Sequence, residues 1–211
     1  MKKIIFDVNN TLIPFEGYQT SIIATFNEIN KSYSIRDLQV IINSINDYTK
    51  YFSIYDIQLF KYFIEERLHK KLPNNFLDIW FEQIIKYIPK ENNIDLIKIL
   101  RKLSKRYELS AFTDFFTEVQ TKLLESYEIL CYFNEVIGTD IYKVKPYHDG
   151  FISICGNYKP EECIYIGDNL EKDIKPAENI GMNTLLYDPN NNYKRYEWNK
   201  IKKLGEIGKF L

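Results

Sequence analysis

The sequence predicts an α/β protein: a doubly wound parallel sheet, interrupted after its first strand by an all-helical insert. Three observations carry that expectation. Ile4-Ile5-Phe6 is a short apolar run bounded by polar residues, the pattern of a strand buried on both faces. Residues 15–90 show repeated helical spacing and no convincing strand. Beyond residue 93, helical and strand patterns alternate, which implies right-handed crossovers and parallel strands.

Within the insert, Ser34 is placed to cap a helix that carries Ile35, Leu38, Ile41, Ile42 and Ile45. Ile57, Phe60, Ile64 and Leu68 form a second stripe. Pro73 stands where a first helical turn could begin, ahead of Phe76, Leu77, Trp80, Phe81, Ile84 and Ile85, and Pro89 closes the segment. After Asn92-Asn93 the rhythm changes. Ile94, Ile97, Leu100 and Leu103 predict a helix, Leu109–Phe112 a strand, Phe116 to Leu130 a helix and Glu135–Ile137 a strand. Phe151 to Cys155 predicts a helix, Cys163–Ile166 a strand, and Ile174 to Ile180 a helix ending at Gly181. Asn183 to Tyr187 predicts a strand, and Trp198 to Leu211 a last helix weakened by Gly205 and Gly208. The expected organisation is a Rossmann-like core of residues 1–14 and 91–211 with a helical cap of residues 15–90.

Composition narrows the function. The chain has 211 residues, 45% hydrophobic and 27% charged, which excludes a disordered or fibrous protein. Lys+Arg 28 against Asp+Glu 29 leaves a net charge of -1, so nothing favours nucleic acid or an anionic membrane as partner. Cys131, Cys155 and Cys163 are odd in number and lack CxxC spacing, which fits three small buried hydrophobes in a reducing compartment. Only Ile4-Ile5-Phe6 follows Met1-Lys2-Lys3 before Asp7, too short for a secretory core of roughly 7–15 apolar residues. A cytoplasmic monomer or homodimer is expected.

In open parallel sheets the ligand sits beyond the carboxyl ends of the strands. Asp7 stands there after the first strand, Thr113-Asp114 after the second and Gly167-Asp168 after the fourth, with Asp173 five residues on. Lys145-Pro146 lies ahead of the helix that leads into the fourth strand. Like charges gathered at one edge are costly unless a cation neutralises them, and an oxygen-rich cluster of this kind suits Mg²⁺.

These residues resemble the haloacid dehalogenase (HAD) superfamily, whose members are mostly phosphatases and phosphomutases. The motif D-x-D-x-T-[LV] has its counterpart in Asp7-Val8-Asn9-Asn10-Thr11-Leu12, the strand-end Thr in Thr113, the Lys-Pro pair in Lys145-Pro146, and G-D-x4-D in Gly167-Asp168 and Asp173. The resemblance implies a HAD-like core, a helical cap and Mg²⁺-dependent hydrolysis of a small phosphorylated metabolite. It makes Asp7 the nucleophile that forms an aspartyl-phosphate. Thr113, Asp114 and Lys145 would contact the phosphoryl group, and Asp7, the Asn9 carbonyl, Asp168 and Asp173 would serve the metal, Asp173 either as a ligand, through water or by orienting Lys145. Lys143 competes with Lys145, but the Lys-Pro pairing favours Lys145.

The pattern breaks at Asn9, where the superfamily's phosphatases carry the aspartate that acts as general acid/base. An amide can orient a leaving group or a water but transfers no proton at physiological pH. The resemblance therefore leaves open a weakened phosphohydrolase, a non-catalytic or regulatory phosphate-ligand binder, and a haloacid-dehalogenase-type or phosphonate hydrolase. In the cap, the many Tyr and Phe residues read as packing. Arg36 and Arg67 could each clamp a second acidic group or lie on a solvated helix face, and His69 reads as a helix-end complement to the dipole.

Overall fold

The computed structural model describes every residue except 15, 30–32, 90–92 and 196–198. The chain divides into two units, Phe15–Pro89 and Met1–Pro14 together with Lys90–Leu211. The smaller unit contains α1 (Tyr18–Glu28), α2 (Ile35–Tyr51), α3 (Ile57–Leu68) and α4 (Phe76–Tyr87). Ser34 opens α2 with a reciprocal capping box: its hydroxyl accepts from the Asp37 N–H at 3.2 Å, and the Asp37 carboxylate accepts from the Ser34 N–H at 2.9 Å. Pro73 lies ahead of α4 and not in its first turn. Its carbonyl accepts from the Phe76 N–H at 3.1 Å, so the proline shapes a separate turn before the helix begins. Tyr48 anchors the unit's interior, with its ring 4.8–5.6 Å from those of Phe52, Tyr55, Phe60 and Phe63.

The larger unit is built on β1 (Lys3–Phe6), β2 (Glu108–Phe112), β3 (Glu135–Ile137), β4 (Cys163–Gly167), β5 (Asn183–Tyr187) and β6 (Lys200–Ile201). They form one parallel sheet in the order β3-β2-β1-β4-β5-β6, so β1 is central and pairs with both β2 and β4. Its helices are α5 (Ile94–Leu103), α6 (Thr117–Ser126), α7 (His148–Ile154) and α8 (Lys175–Asn179). Ile4, Ile5 and Phe6 are fully buried, as the apolar run requires of a central strand. Ile5, Phe112, Phe151, Cys163 and Tyr165 share one core cluster, with Phe151 packed edge-on to Phe112 at 4.9 Å.

The structure corrects three expectations in this unit. The helix expected to run to Leu130 stops at Ser126, because Glu128 adopts a left-handed φ of 59°; a short 3-10 turn, Leu130–Tyr132, follows. The tail is not one helix. Lys200–Ile201 pairs with β5 as the sixth strand, and only Leu204–Lys209 coils, as 3-10. A strand of that length leaves almost no periodic signal, and Gly205 and Gly208 weaken a regular helix. Trp198, the expected start of that helix, lies outside the described residues. Finally, Cys155 and Cys163 are buried but Cys131 is exposed, carried out by the 3-10 turn. Among the described residues no helix is long and apolar enough to cross a membrane.

Candidate active site

Asp7 follows the last residue of the central strand, and its N–H still bonds the Ile166 carbonyl of β4 at 2.8 Å. The chain then folds back tightly: the N–H groups of Leu12 and Ile13 both bond the Val8 carbonyl at 2.9 Å, and Asn10 takes a φ of 62°. That turn brings the Thr11 hydroxyl back to donate to Asp7 Oδ2 at 3.2 Å.

Lys145 is the hub. Its buried ammonium donates to Asp7 Oδ1 and to Asp173 Oδ1, each at 2.6 Å, and to the Tyr165 hydroxyl at 3.3 Å. The Tyr165 hydroxyl in turn donates to the Phe112 carbonyl at 2.7 Å. Asp173 sits on a π-helical turn, Leu170–Ile174, entered through Asn169, whose carboxamide oxygen accepts from the Glu171 and Lys172 N–H groups. The second Asp173 oxygen accepts from the Asn169 N–H at 3.1 Å. Gly167 makes this approach possible, since a Cβ there would fall 2.6 Å from the Asp173 side chain. Lys143, the alternative lysine, is an exposed residue paired with Asp149 at 3.4 Å.

Asp7, Asp168 and Asp173 each offer a carboxylate oxygen, and these oxygens lie within 4.8 Å of one another. Three carboxylates against one buried ammonium leave an excess of negative charge. Burial pushes the Asp7 carboxyl up to about 7, with Asp173 and Asp168 adding to the rise and Lys145 opposing it. Burial, with Asp173 beside it, also raises Asp168 to about 6. Burial alone would lower the Lys145 ammonium, but Asp173 and Asp7 override it and hold the group well above its ordinary value. The Asn9 carboxamide oxygen is buried and has no hydrogen-bond partner among the described residues. A hard divalent cation with oxygen ligands fits this donor set: it would offset the charge excess that adds to the burial-driven rise of the two carboxyls.

The remaining expected site residues are placed differently. Thr113 is fully buried at the end of β2, and its hydroxyl approaches the Asp114 carbonyl at 3.4 Å. Asp114 is already engaged: one oxygen accepts from the Lys145 N–H at 3.0 Å and the other pairs with Lys172 at 3.0 Å. It acts on Lys145 through the backbone. In the smaller unit, Arg67 pairs with Asp47 at 2.8 Å and lies over the Phe63 ring at 4.7 Å. His69 is the left-handed C-cap of α3, and Arg36 is an exposed residue of α2.

Sequence reasoning did not single out Tyr165, Asn169 or Lys172. Tyr165 stands inside an apolar strand run, where its ring reads as core. The nearby signal for Asn169 was its capping chemistry beside Gly167-Asp168.

The residues of this cluster lie within a segment that has known relatives. Residues 4–187 match the haloacid dehalogenase-like hydrolase family. Over 206 residues the chain is 23% identical to the pyrimidine 5'-nucleotidase PynA of Streptococcus pneumoniae, covering 89% of this chain and 84% of that protein. Over 127 residues it is 32% identical to the glyceraldehyde 3-phosphate phosphatase of Methanocaldococcus jannaschii, covering 54% of this chain and about half, 55%, of that relative. The fold is shared with the HAD-hydrolase YfnB of Bacillus subtilis, solved bound to magnesium, at a TM-score of 0.73 and 16% identity over 100% of this chain and 98% of that one. The family match spans most of the sequence and takes in β2 to β5 and all of β1 but Lys3; the chain belongs to the haloacid dehalogenase-like hydrolase family.

Proposed function

We propose that this hydrolase is a Mg²⁺-assisted phosphomonoesterase for small phosphorylated metabolites, working through an aspartyl-phosphate on Asp7. The observation that carries this reading is the buried Asp7 carboxylate held between the Lys145 ammonium and the Thr11 hydroxyl, with Asp168 and Asp173 oxygens beside it. Two named relatives, a pyrimidine nucleotidase and a glyceraldehyde 3-phosphate phosphatase, favour a phosphate ester as substrate.

An Asp7 oxygen attacks phosphorus, and the bond from phosphorus to the leaving alcohol breaks. Water then attacks the acyl phosphate, releasing inorganic phosphate and restoring the carboxylate. Thr113 would turn its hydroxyl from the Asp114 carbonyl to donate to a phosphoryl oxygen. Lys145 offsets the crowded negative charge, and Asp173 and Asp114 hold it in place. Asp7, Asp168 and the Asn9 carbonyl would hold Mg²⁺, with Asp173 behind them. When bound, that ion supplies charge neutralisation at the phosphoryl oxygens. Asn9 orients the leaving alcohol or the water but hands over no proton, so the departing alkoxide draws its proton from solvent. This favours substrates with acidic leaving groups.

The test is turnover of p-nitrophenyl phosphate and a phosphate-ester panel with Mg²⁺, with the acyl-phosphate trapped on Asp7. Asp7→Asn must abolish turnover; activity in that variant removes the nucleophile assignment. Asn9 also favours a second reading, a phosphate-ligand binder without turnover. In that case a phosphorylated ligand raises the melting temperature while neither protein releases phosphate.

A further inference from the structure

Resting on the phosphomonoesterase reading, we propose that the group released from phosphate is uncharged, hydroxyl-bearing and as large as a nucleoside, and that it is held by the loop after β5. A cavity of about 640 Å³ begins at Thr11 and Asp168 and extends along Tyr187, Asn190, Asn192 and Tyr193. Its volume falls in the range that holds a nucleoside-sized molecule. It lies within the larger unit, and Thr11 and Asp168 tie it to the reacting cluster through Asp7.

The chemistry of the lining selects the ligand class. Among the described residues, no lysine, arginine or histidine lines the cavity. A second phosphate or a carboxylate on the substrate would lose its water there with no counter-charge to replace it. Of the cations in the described part of the loop, Lys194 and Arg195 are exposed and do not line the cavity, and Lys200 is committed: its ammonium pairs with Asp188 at 3.6 Å and donates to the Tyr193 carbonyl at 2.9 Å and the Asn191 carboxamide oxygen at 3.2 Å. Asp188 is buried and accepts from the Asn192 and Tyr193 N–H groups at 2.7 and 3.0 Å, which fixes the loop backbone.

What that fixed loop presents to the cavity, apart from the committed Asp188, is neutral. The carboxamides of Asn190 and Asn192 are exposed and bond no other group among the described residues. Each offers donors and an acceptor, the complement of sugar hydroxyls and of base carbonyl and amino groups. The Tyr187 and Tyr193 rings and Pro189 add flat apolar surface of the kind that takes a sugar face or a base.

The experiment compares glycerol 3-phosphate with 3-phosphoglycerate, which differ by a hydroxymethyl group against a carboxylate. Uridine 5'-monophosphate is the probe with a large uncharged leaving group, and p-nitrophenyl phosphate reports the basal reaction. The expected result is a kcat/KM for glycerol 3-phosphate about tenfold or more above that for 3-phosphoglycerate, from the unpaired charge, with uridine 5'-monophosphate higher still. Asn190→Lys combined with Asn192→Lys should narrow the first ratio by roughly 2–5-fold, mainly through KM for 3-phosphoglycerate, the size of an exposed ion pair. Equal rates for the matched pair, or a ratio the lysines do not move, overturn the inference. If p-nitrophenyl phosphate is not turned over at all, the hydrolase reading fails by itself. Calorimetric binding of the same pair then decides this one: tighter glycerol 3-phosphate upholds it, and equal affinity overturns it.

Discussion

Replacing Lys145 by methionine removes one charge and little volume, so it isolates what the ammonium does for the carboxylates around it. The Lys145 side chain is 4% exposed, and its partners Asp7 and Asp173 are 6% and 2% exposed. Both oxygens lie 2.6 Å from the amine. Breaking a buried ion pair by deleting one partner costs about 3–5 kcal/mol, because the surviving charge has neither water nor counter-ion. Each kcal/mol shifts the melting temperature of a chain this size by about 2–4 °C, so the metal-free variant should melt about 6–20 °C lower at pH 8. The loss should shrink at pH 5.5, where the Asp7 carboxyl, already raised to about 7 in the native protein, carries a proton in place of the lost cation. Saturating Mg²⁺ at pH 8 should recover part of the loss in the same way. Differential scanning calorimetry in chelator measures all three. Lys143→Met is the control: that exposed pair with Asp149 should contribute about 0–1 kcal/mol. A shift below about 2 °C for Lys145→Met at pH 8 without metal refutes the reasoning, since the carboxylates would then not depend on the ammonium.

Asn9→Asp restores a transferable proton and should raise phosphomonoesterase activity by about 10²–10⁴-fold for alkyl phosphates, with a smaller gain for aryl phosphates, whose leaving groups depart unprotonated; steady-state kinetics on matched esters measures it. In metal-free protein, Asp7 at about 7 and Asp168 at about 6 bind protons more tightly folded than unfolded, where a carboxyl titrates near 3.8. Stability from these groups is therefore full below about pH 4 and is lost as pH rises through 7, and melting temperature against pH should fall across that window. The same scan with Mg²⁺ should be flatter, because the ion takes the place of the protons. Gly167→Ala puts a methyl 2.6 Å from the Asp173 side chain and should cost about 1–3 kcal/mol, read from urea denaturation, together with weakened metal affinity.

Asp7, Lys145, Asp168 and Asp173 were legible in the sequence because Asp7 and Asp168 each follow a strand, Asp173 stands five residues after Asp168 and Lys145 belongs to a Lys-Pro pair, and local spacing survives without knowledge of the fold. The same is true of Ser34, whose capping box is written in residues three apart. Only the tertiary structure decided how these groups divide their bonds. The sequence alone leaves Asp173 between metal ligand and lysine partner; the π-helical turn sets one of its oxygens on Lys145 and the other on the Asn169 N–H. Asp114 is expected at the phosphoryl group, yet it spends its oxygens on the Lys145 N–H and the Lys172 ammonium, which come from segments 31 and 58 residues away in sequence. Tyr165 reads as core until β4 brings its hydroxyl against the Phe112 carbonyl and Lys145. The sixth strand exists because Leu186 and Tyr187 leave an open edge beside them that Lys200 and Ile201 can pair with. In each case the deciding partner is distant along the chain. Periodicity and capping record what a residue does with its near neighbours, whereas hydrogen bonds and edge pairing between remote segments are settled only when the sheet brings them side by side.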